Sequence, residues 1–210
     1  NRYGDCKDHS TLLVALLTAK GIEAESAMIN AGDAYTLPKL GDIYPINHVI
    51  TYLPTWDLYV DSTDRHASFG VLSYDTSDKP TVLGKSERYH RTPKSSSKMS
   101  RISSQVGMSI SDNGDIYGAA SITATGSASP SIRSYLMDYH GPDKDHMPRS
   151  QLAKFNQVGT GAYEFQPMGD LDNPVTFEST FVIDPVTNFP GPGAIWVPVG
   201  LAPGRIENMR

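Results

Sequence analysis

The sequence contains little cysteine, no long apolar run and no excess of basic residues. One cysteine in 210 residues excludes an intrachain disulfide and a zinc site built from several cysteines. No stretch approaches the ~18 consecutive apolar residues that predict a membrane-spanning helix. The net charge of −5 argues against a general nucleic-acid binder, because such proteins usually carry a basic surface. We therefore expect no nucleic-acid partner and no membrane-spanning segment.

The composition is that of an ordinary globular protein. Hydrophobic residues make up 39% and charged residues 20% of the chain, which is long enough for one large domain or two small ones. The first residue is Asn1, and the motif described below begins within a few residues of it. We therefore expect the sequence to be a piece of a longer protein.

The single cysteine stands at the start of a predicted helix. In the opening stretch NRYGDCKDHSTLLVALLTAKGIEA, the spacing of apolar residues predicts a helix over residues 5–20, with Cys6 in its first turn. Asp5 is a suitable N-cap, Asp8 lies in the first turn, and Gly21 is typical of a helix end. The predicted apolar stripe consists of Leu12, Leu13, Ala15, Leu16 and Ala19.

The next segments predict strands whose register brings a histidine to an aspartate. Residues 22–29 predict a first strand, and residues 46–53 and 56–63 predict a hairpin. With the turn centred between residues 54 and 55, His48 lies directly opposite Asp61. Directly opposed residues share one face of a sheet, with Cβ atoms about 4.5–5.5 Å apart. A shift by one residue would turn one of the two side chains away.

The rest of the sequence predicts a β-rich domain after a connector. We assign residues 1–84 to the core, 85–104 to a basic, serine-rich linker and 105–210 to a β-rich accessory domain. Within the last range, Asn113-Gly114 predicts a hairpin turn. Residues 131–139 predict a helical turn or a short helix, and residues 175–184 predict a strand. Residues 188–200 are too rich in Pro and Gly for a helix.

A thiol, an imidazole and a carboxylate in this arrangement point to acyl transfer. A helix N-terminus and a nearby imidazolium both favour a thiolate, which is the nucleophilic form of cysteine. We assign Cys6 as the nucleophile, His48 as the general acid and base, and Asp61 as the carboxylate that orients the imidazole. The N–H groups at the helix start are expected to bind the oxyanion. This chemistry requires no metal and no organic cofactor.

Other polar residues are predicted to have structural roles. Asp5 and Asp8 are interpreted as helix caps and Asn47 as a structural residue. His9, one turn into the helix, is interpreted as a surface residue, with an approach to the site as the alternative. The stretch 111–115 is interpreted as a hairpin turn, because it lacks the later ligands of a calcium loop. A solvated loop, and not a metal site, is predicted for the cluster His140, Asp143, Asp145 and His146.

The segments YGDCKDHSTLLVALLTAKGIEA, INHVITYL and LYVDST resemble the core of the transglutaminase-like superfamily, in particular its bacterial members of the cysteine-protease type. The family pattern is G-x-C at a helix start, an NH strand and an aspartate that ends the next strand, which matches Cys6, His48 and Asp61. The resemblance covers roughly residues 2–63. It implies a papain-like fold, with the thiol helix on an antiparallel sheet, and a location in the periplasm or at the cell surface.

The sequence departs from the family pattern in two respects. The family usually has an upstream helix and an oxyanion-assisting side chain, which this sequence does not contain. The residues Asp8-His9-Ser10 also replace a small residue that is more usual after the thiol. We therefore expect an α+β fold with a papain-like, transglutaminase-like core that lacks its first segment, followed by the β-rich accessory domain.

The expected function is thiol-dependent acyl transfer on amide bonds of protein or peptide substrates, through a thioester. Hydrolysis, as in a peptidase or amidase, is favoured because it requires only water, whereas cross-linking also requires a site for an amine. A cross-linking or amine-transferring transglutaminase is the first alternative. A non-catalytic binding or scaffold module of the cell envelope is the alternative from another class. The oligomeric state does not follow from the sequence.

Overall fold

The computed structural model describes residues 4–37, 45–185 and 201–202. The chain divides into two units, Asn1–Ser100 with Gly126–Pro130 and Arg101–Thr125 with Ser131–Arg210. Helices and antiparallel sheets are both present, which confirms the predicted α+β class. Over the described ranges, the structure contains no helix with the length and apolar character needed to cross a bilayer. The prediction for residues 188–200 lies outside the described residues.

The first unit contains one long helix and a five-stranded antiparallel sheet. The helix is α1, Cys6–Ala19. The strands are β1 Glu25–Ile29, β2 His48–Leu53, β3 Leu58–Val60, β4 Pro80–Leu83 and β5 Tyr89–Arg91. Their order in the sheet is β3-β2-β1-β4-β5. The short strands β3 and β5 form the two edges of the sheet. The longest ladder joins β1 and β2, with five residue pairs.

Both ends of α1 carry the capping residues that the sequence predicts. The Asp5 side chain accepts N–H groups of the first turn, and the Asp8 carboxylate accepts the N–H of Asp5 at 3.1 Å, which completes a capping box. At the other end Gly21 has a φ of 76°. The N–H of Ile22 donates to the carbonyl of Leu17 at 3.0 Å, as in a Schellman motif. The predicted helix is confirmed to within one residue at each end.

The face of α1 that packs on the sheet differs from the predicted one. Leu12 and Leu16, both in the predicted stripe, are 62% and 58% exposed. The buried and half-buried positions are instead Cys6, Ser10, Leu13, Val14 and Leu17. Of the predicted stripe only Leu13 is half-buried, and the other four residues are exposed. The stripe was mostly wrong because a serine, whose hydroxyl is hydrogen-bonded inside the interface, occupies an inward position.

The hydrophobic core of the first unit lies on the other face of the sheet. Side chains alternate along a strand, and Ser26 and Thr51, which are register partners, contact α1 from one face. The partners Ala27 and Ile50 therefore point to the opposite face. The core there consists of Ala27, Ile29, Ile50, Tyr52, Tyr59, Leu72 and Leu83.

The hairpin of β2 and β3 is shifted by two residues relative to the predicted register. Leu53 pairs with Leu58, and residues 54–57 form a four-residue loop that begins with a short 3-10 turn. The predicted direct opposition of His48 and Asp61 is therefore wrong. Because side chains alternate with a period of two, this shift keeps both on the same face as diagonal neighbours.

Residues 85–104, the range predicted to be a linker, contain β5, Tyr89–Arg91, and the start of β6, Arg101–Ile110. Within this range, β5 pairs with β4 as the last strand of the first sheet. Strand β6 belongs to the second unit. All three residues of β5 are exposed, and exposed edge strands often carry charged side chains. A basic, polar composition is therefore compatible with an edge strand as well as with a connector.

The second unit is built on a four-stranded antiparallel sheet. The elements that follow β6 are β7 Ile116–Thr125, α2 Ser129–Met137, α3 His146–Ala153, β8 Gly159–Phe165 and β9 Val175–Ile183. The first two residues of α2 are counted with the first unit. The strand order is β6-β7-β9-β8. The predicted hairpin turn, with Gly114 at a φ of 90°, the predicted helix and the predicted strand are confirmed as the β6–β7 turn, α2 and β9.

The sequence did not predict β8 or α3. Two glycines in β8 lower its strand propensity, yet both are required where they stand. A Cβ on Gly159 would lie 2.1 Å from the carbonyl oxygen of Val182, and one on Gly161 would lie 2.9 Å from that of Thr180. The close approach of the neighbouring backbone therefore selects glycine at two positions of a genuine strand. Such contacts with β9 are tertiary and leave no local signal.

Candidate active site

A fully buried serine holds α1 on the sheet one turn after the cysteine. The hydroxyl of Ser10 donates to the carbonyl of Ile50 at 3.1 Å and lies 3.2 Å from the hydroxyls of Ser26 and Thr51. Cys6 lies four residues earlier on the same helix. Residues four apart share one face of a helix, so this packing directs the half-buried thiol of Cys6 toward the sheet.

The capping box occupies most of the N–H groups at the helix start. Asp5 Oδ1 accepts the N–H of Lys7 at 2.9 Å and that of Asp8 at 3.3 Å. These two N–H groups hold the pKa of Asp5 below its ordinary value. The N–H groups of Lys7 and Asp8 are therefore already occupied, although the sequence predicted that several N–H groups at the helix start bind the oxyanion. Of these groups, the N–H of Cys6 remains available. Within the described part of the chain, no acceptor for that group is found.

The glycine before the cap is required by the same geometry. A Cβ on Gly4 would lie 2.7 Å from Cβ of Asp8 and 3.0 Å from its Oδ2. Any larger residue would therefore displace the carboxylate that closes the capping box on Asp5. The glycine two residues before Cys6 thus has a steric reason that is independent of any resemblance.

His48 and Asp61 form a close, largely buried pair. His48 Nε2 lies 2.8 Å from Asp61 Oδ2, and their side chains are 15% and 7% exposed. A carboxylate can only accept, so Nε2 of the imidazole carries the hydrogen. The sequence predicted this contact, and it is made between diagonal neighbours where β3 has already ended at Val60.

Asp61 is fixed by the residue two positions after it. Its Oδ1 accepts the N–H of Thr63 at 2.9 Å and the hydroxyl of Thr63 at 2.6 Å. Burial alone would raise the pKa of Asp61, but the hydrogen bonds from His48 and Thr63 lower it below its ordinary value. Asp61 is therefore held as a carboxylate, with both oxygens engaged.

The imidazole of His48 also interacts with the thiol of Cys6. The hydrogen bond of Asp61 raises the pKa of His48, burial acts in the opposite direction, and the hydrogen bond and charge of Cys6 add to the rise. Because Nε2 is directed to Asp61, Nδ1 is the nitrogen that remains for the thiol. His48 thus interacts with both the carboxylate of Asp61 and the thiol of Cys6, and the catalytic roles assigned to the three residues stay predictions.

Two neighbouring polar residues are outside this group. Asn47 exchanges two hydrogen bonds with the backbone of Ala31, at 2.7 and 3.2 Å, which confirms its predicted structural role. His9 is exposed, as predicted, and its Nδ1 lies 3.1 Å from the carbonyl oxygen of Ser62. The histidine that interacts with the thiol is therefore His48 and not His9.

The supporting roles of three residues were not predicted from the sequence. Ser10 is recognisable in retrospect by its position on the helical face of Cys6. Thr63 is recognisable by its spacing, because an aspartate followed two residues later by threonine is typical of a local side-chain turn. Gly4 is the glycine of the G-x-C pattern, but its steric role depends on the rotamer of Asp8 and was not predicted.

The histidine and aspartate cluster of the second unit forms a short 3-10 turn, Gly141–Lys144, followed by α3 from His146. The predicted solvated loop is therefore wrong from that residue onward. His140 is exposed, and its Nδ1 lies 3.0 Å from the carbonyl oxygen of Met137. Across residues 4–37, 45–185 and 201–202, no group of three or more His, Cys, Asp or Glu side chains is arranged to hold a metal ion.

A thiol, an imidazole and a carboxylate in series can activate sulfur, attack an acyl carbon and return a proton to a leaving group.

Comparison of the chain with models of protein families, with curated proteins and with solved structures gave no match.

Proposed function

We propose that this protein is a thiol-dependent acyl-transfer enzyme that acts on amide bonds of protein or peptide substrates, with hydrolysis as the favoured outcome. The observation that carries the proposal is one imidazole that interacts with the single thiol and, at 2.8 Å, with a buried carboxylate. The packing of α1 on an antiparallel sheet supports a core of the papain-like, transglutaminase-like type that the sequence resembles. By the same resemblance we propose the periplasm or cell surface as its location.

The acylation step follows from the positions of the three side chains. His48 accepts the thiol proton, and the sulfur of Cys6 attacks the amide carbon, so that the carbonyl electron pair moves to oxygen. The C–N bond then breaks, and the imidazolium gives its proton to the departing amine. Asp61 keeps the ring oriented and stabilises its positive charge throughout. The product is a thioester on Cys6 and a free amine.

The deacylation step reverses these roles. His48 removes a proton from water, and the resulting hydroxide attacks the thioester carbon. The C–S bond then breaks, the imidazolium returns its proton to the departing sulfur, and a carboxylic acid and the thiol are released. An amine in place of water would give a new amide, which is the transglutaminase outcome. Hydrolysis requires no additional binding site, so it is the simpler reaction for this arrangement.

The N–H of Cys6 is the donor best placed for the oxyanion of both tetrahedral intermediates, because the two N–H groups that follow are bonded to Asp5. One lost oxyanion donor typically costs about 3 kcal/mol in catalysis. A single donor implies a modest rate unless a substrate or another segment supplies a second.

The pH dependence of alkylation of the only cysteine tests the proposal. We expect iodoacetamide to modify wild-type Cys6 at a rate that stays high well below the titration range of an ordinary thiol, near pH ~8.5. His48→Ala should lose this reactivity on the acid side. His140→Ala is the matched control, because it removes an exposed histidine from the second unit and should leave the profile unchanged.

The same variants decide between the functions. Cleavage of labelled casein that is lost in His48→Ala supports hydrolysis, whereas incorporation of a dansylated amine into casein supports transglutamination. An ordinary thiol profile in the wild-type protein, unchanged in His48→Ala, contradicts the enzyme proposal and favours the scaffold alternative.

A further inference from the structure

The turn that carries Asp61 lies outside the ladder of the sheet. β3 ends at Val60, so residues 61–63 are not held by pairing with β2. Within the turn, Thr63 engages one carboxylate oxygen of Asp61 through two hydrogen bonds. The turn is therefore locally well defined, but its position relative to Cys6 requires contacts from elsewhere.

The structure shows two hydrogen bonds from outside to this turn, among the residues it describes. One joins Asp61 to His48 at 2.8 Å, and the other joins the carbonyl of Ser62 to Nδ1 of His9 at 3.1 Å. His9 lies on α1, three positions after Cys6. The second bond therefore connects the helix that carries the thiol directly to the turn that carries the carboxylate.

We infer that His9 is a positioning residue, which fixes the turn of Asp61 against α1 and thereby sets the approach of His48 to Cys6. The inference rests on the proposed function. A carbonyl oxygen only accepts, so Nδ1 of His9 must carry a hydrogen. The bond spans the two elements that the reaction must hold together, and no ladder hydrogen bond of β3 duplicates it.

This role differs from that of a catalytic base. His9 acts on the thiol only through the turn and His48, so its loss should loosen the thiol–imidazole pair without removing the imidazole. Displacements of about 1 Å at a reacting pair can cost up to ~100-fold in rate. His48 therefore transfers protons, whereas His9 fixes the position of the Asp61 turn against α1.

The test uses the full chain, with the alkylation of its only cysteine by iodoacetamide as a function of pH. We expect His9→Ala to slow alkylation on the acid side about ten- to a hundredfold, with little change above the ordinary thiol range of about pH 8.5. His9→Asn places an amide N–H near the position of Nδ1 and should restore most of the wild-type rate. His140→Ala loses an equivalent histidine–carbonyl bond in the second unit and should have no effect.

The outcomes separate this inference from the proposed function. A shifted wild-type profile that His9→Ala leaves intact overturns the positioning role and leaves the proposed function standing. An ordinary profile in the wild-type protein overturns both. Should His9→Ala unfold α1, seen as rapid hydrogen exchange of that helix, His9→Leu replaces it as the variant without a donor. Equal rates for His9→Leu and His9→Asn then refute the role, and a faster rate for His9→Asn supports it.

Discussion

Removal of the buried hydroxyl of Ser10 should weaken the packing of α1 on its sheet. This hydroxyl has one hydrogen, which it donates to Ile50, so the hydroxyls of Ser26 and Thr51 donate to it. Each of the three bonds contributes about 1 kcal/mol net, whereas alanine returns about 0.5 kcal/mol through its higher helix propensity. Ser10→Ala should therefore destabilise the packing of α1 by about 2.5 kcal/mol.

Hydrogen exchange followed by mass spectrometry measures this loss in α1 separately from the second unit. A change of about 2.5 kcal/mol corresponds to exchange of α1 amides that is roughly 50- to 100-fold faster. Thr11→Ala is the matched control, because its side chain is exposed on the same helix and its effect should stay within about 0.5 kcal/mol. If the two variants exchange equally slowly, the buried hydroxyl does not anchor the helix and the reasoning fails.

Two further predictions concern the start of the helix and the ionic pair. Gly4→Ala should push Asp8 out of the capping box and make exchange in the first turn of α1 severalfold faster. The hydrogen bond of Asp61 raises the pKa of His48, so the stability gained from the pair is full below the ordinary value of 6.5 and declines as pH rises through the raised pKa. Burial raises the pKa of Asp61 but hydrogen bonds lower it overall, so the gain holds above the ordinary value of 3.8 and declines as pH falls through the lowered pKa. The urea midpoint of the first unit, measured against pH, should therefore be highest between these two limits in the wild-type protein and should vary less with pH in Asp61→Asn. A urea midpoint that does not vary with pH in the wild-type protein would contradict the pairing.

The elements that local rules determine were predictable from the sequence. The caps of α1 and the turn at Gly114 are set by side chains and backbone within a few residues, and both are present. The contact of His48 with Asp61 was predictable for a different reason. It depends on whether the register shift is even or odd, and not on the loop length itself, so an error of two residues in the register preserved it.

The features that the sequence did not predict depend on contacts between segments that are distant in the chain. Most of the inner face of α1 was mispredicted because it includes Ser10, a polar residue that a hydrophobic pattern does not count. Ser10 can be fully buried there because groups of the sheet form hydrogen bonds with its hydroxyl. Strand β5 was not predicted within the range 85–104 because composition does not distinguish an exposed edge strand from a connector. In β8 the glycines are selected by the backbone of β9, which lies about twenty residues later in the sequence.

The capping box has two opposing consequences for the thiol, and one substitution separates them. Asp5 starts the helix correctly, but its carboxylate takes two N–H groups and places a negative charge beside Cys6, which disfavours a thiolate. Asparagine caps helices about as well as aspartate and carries no charge. Asp5→Asn should therefore keep α1 intact by hydrogen exchange and speed alkylation of Cys6 on the acid side about two- to fivefold. Slower alkylation with an intact helix would contradict this expectation, because it would show that the charge of Asp5 assists the thiol.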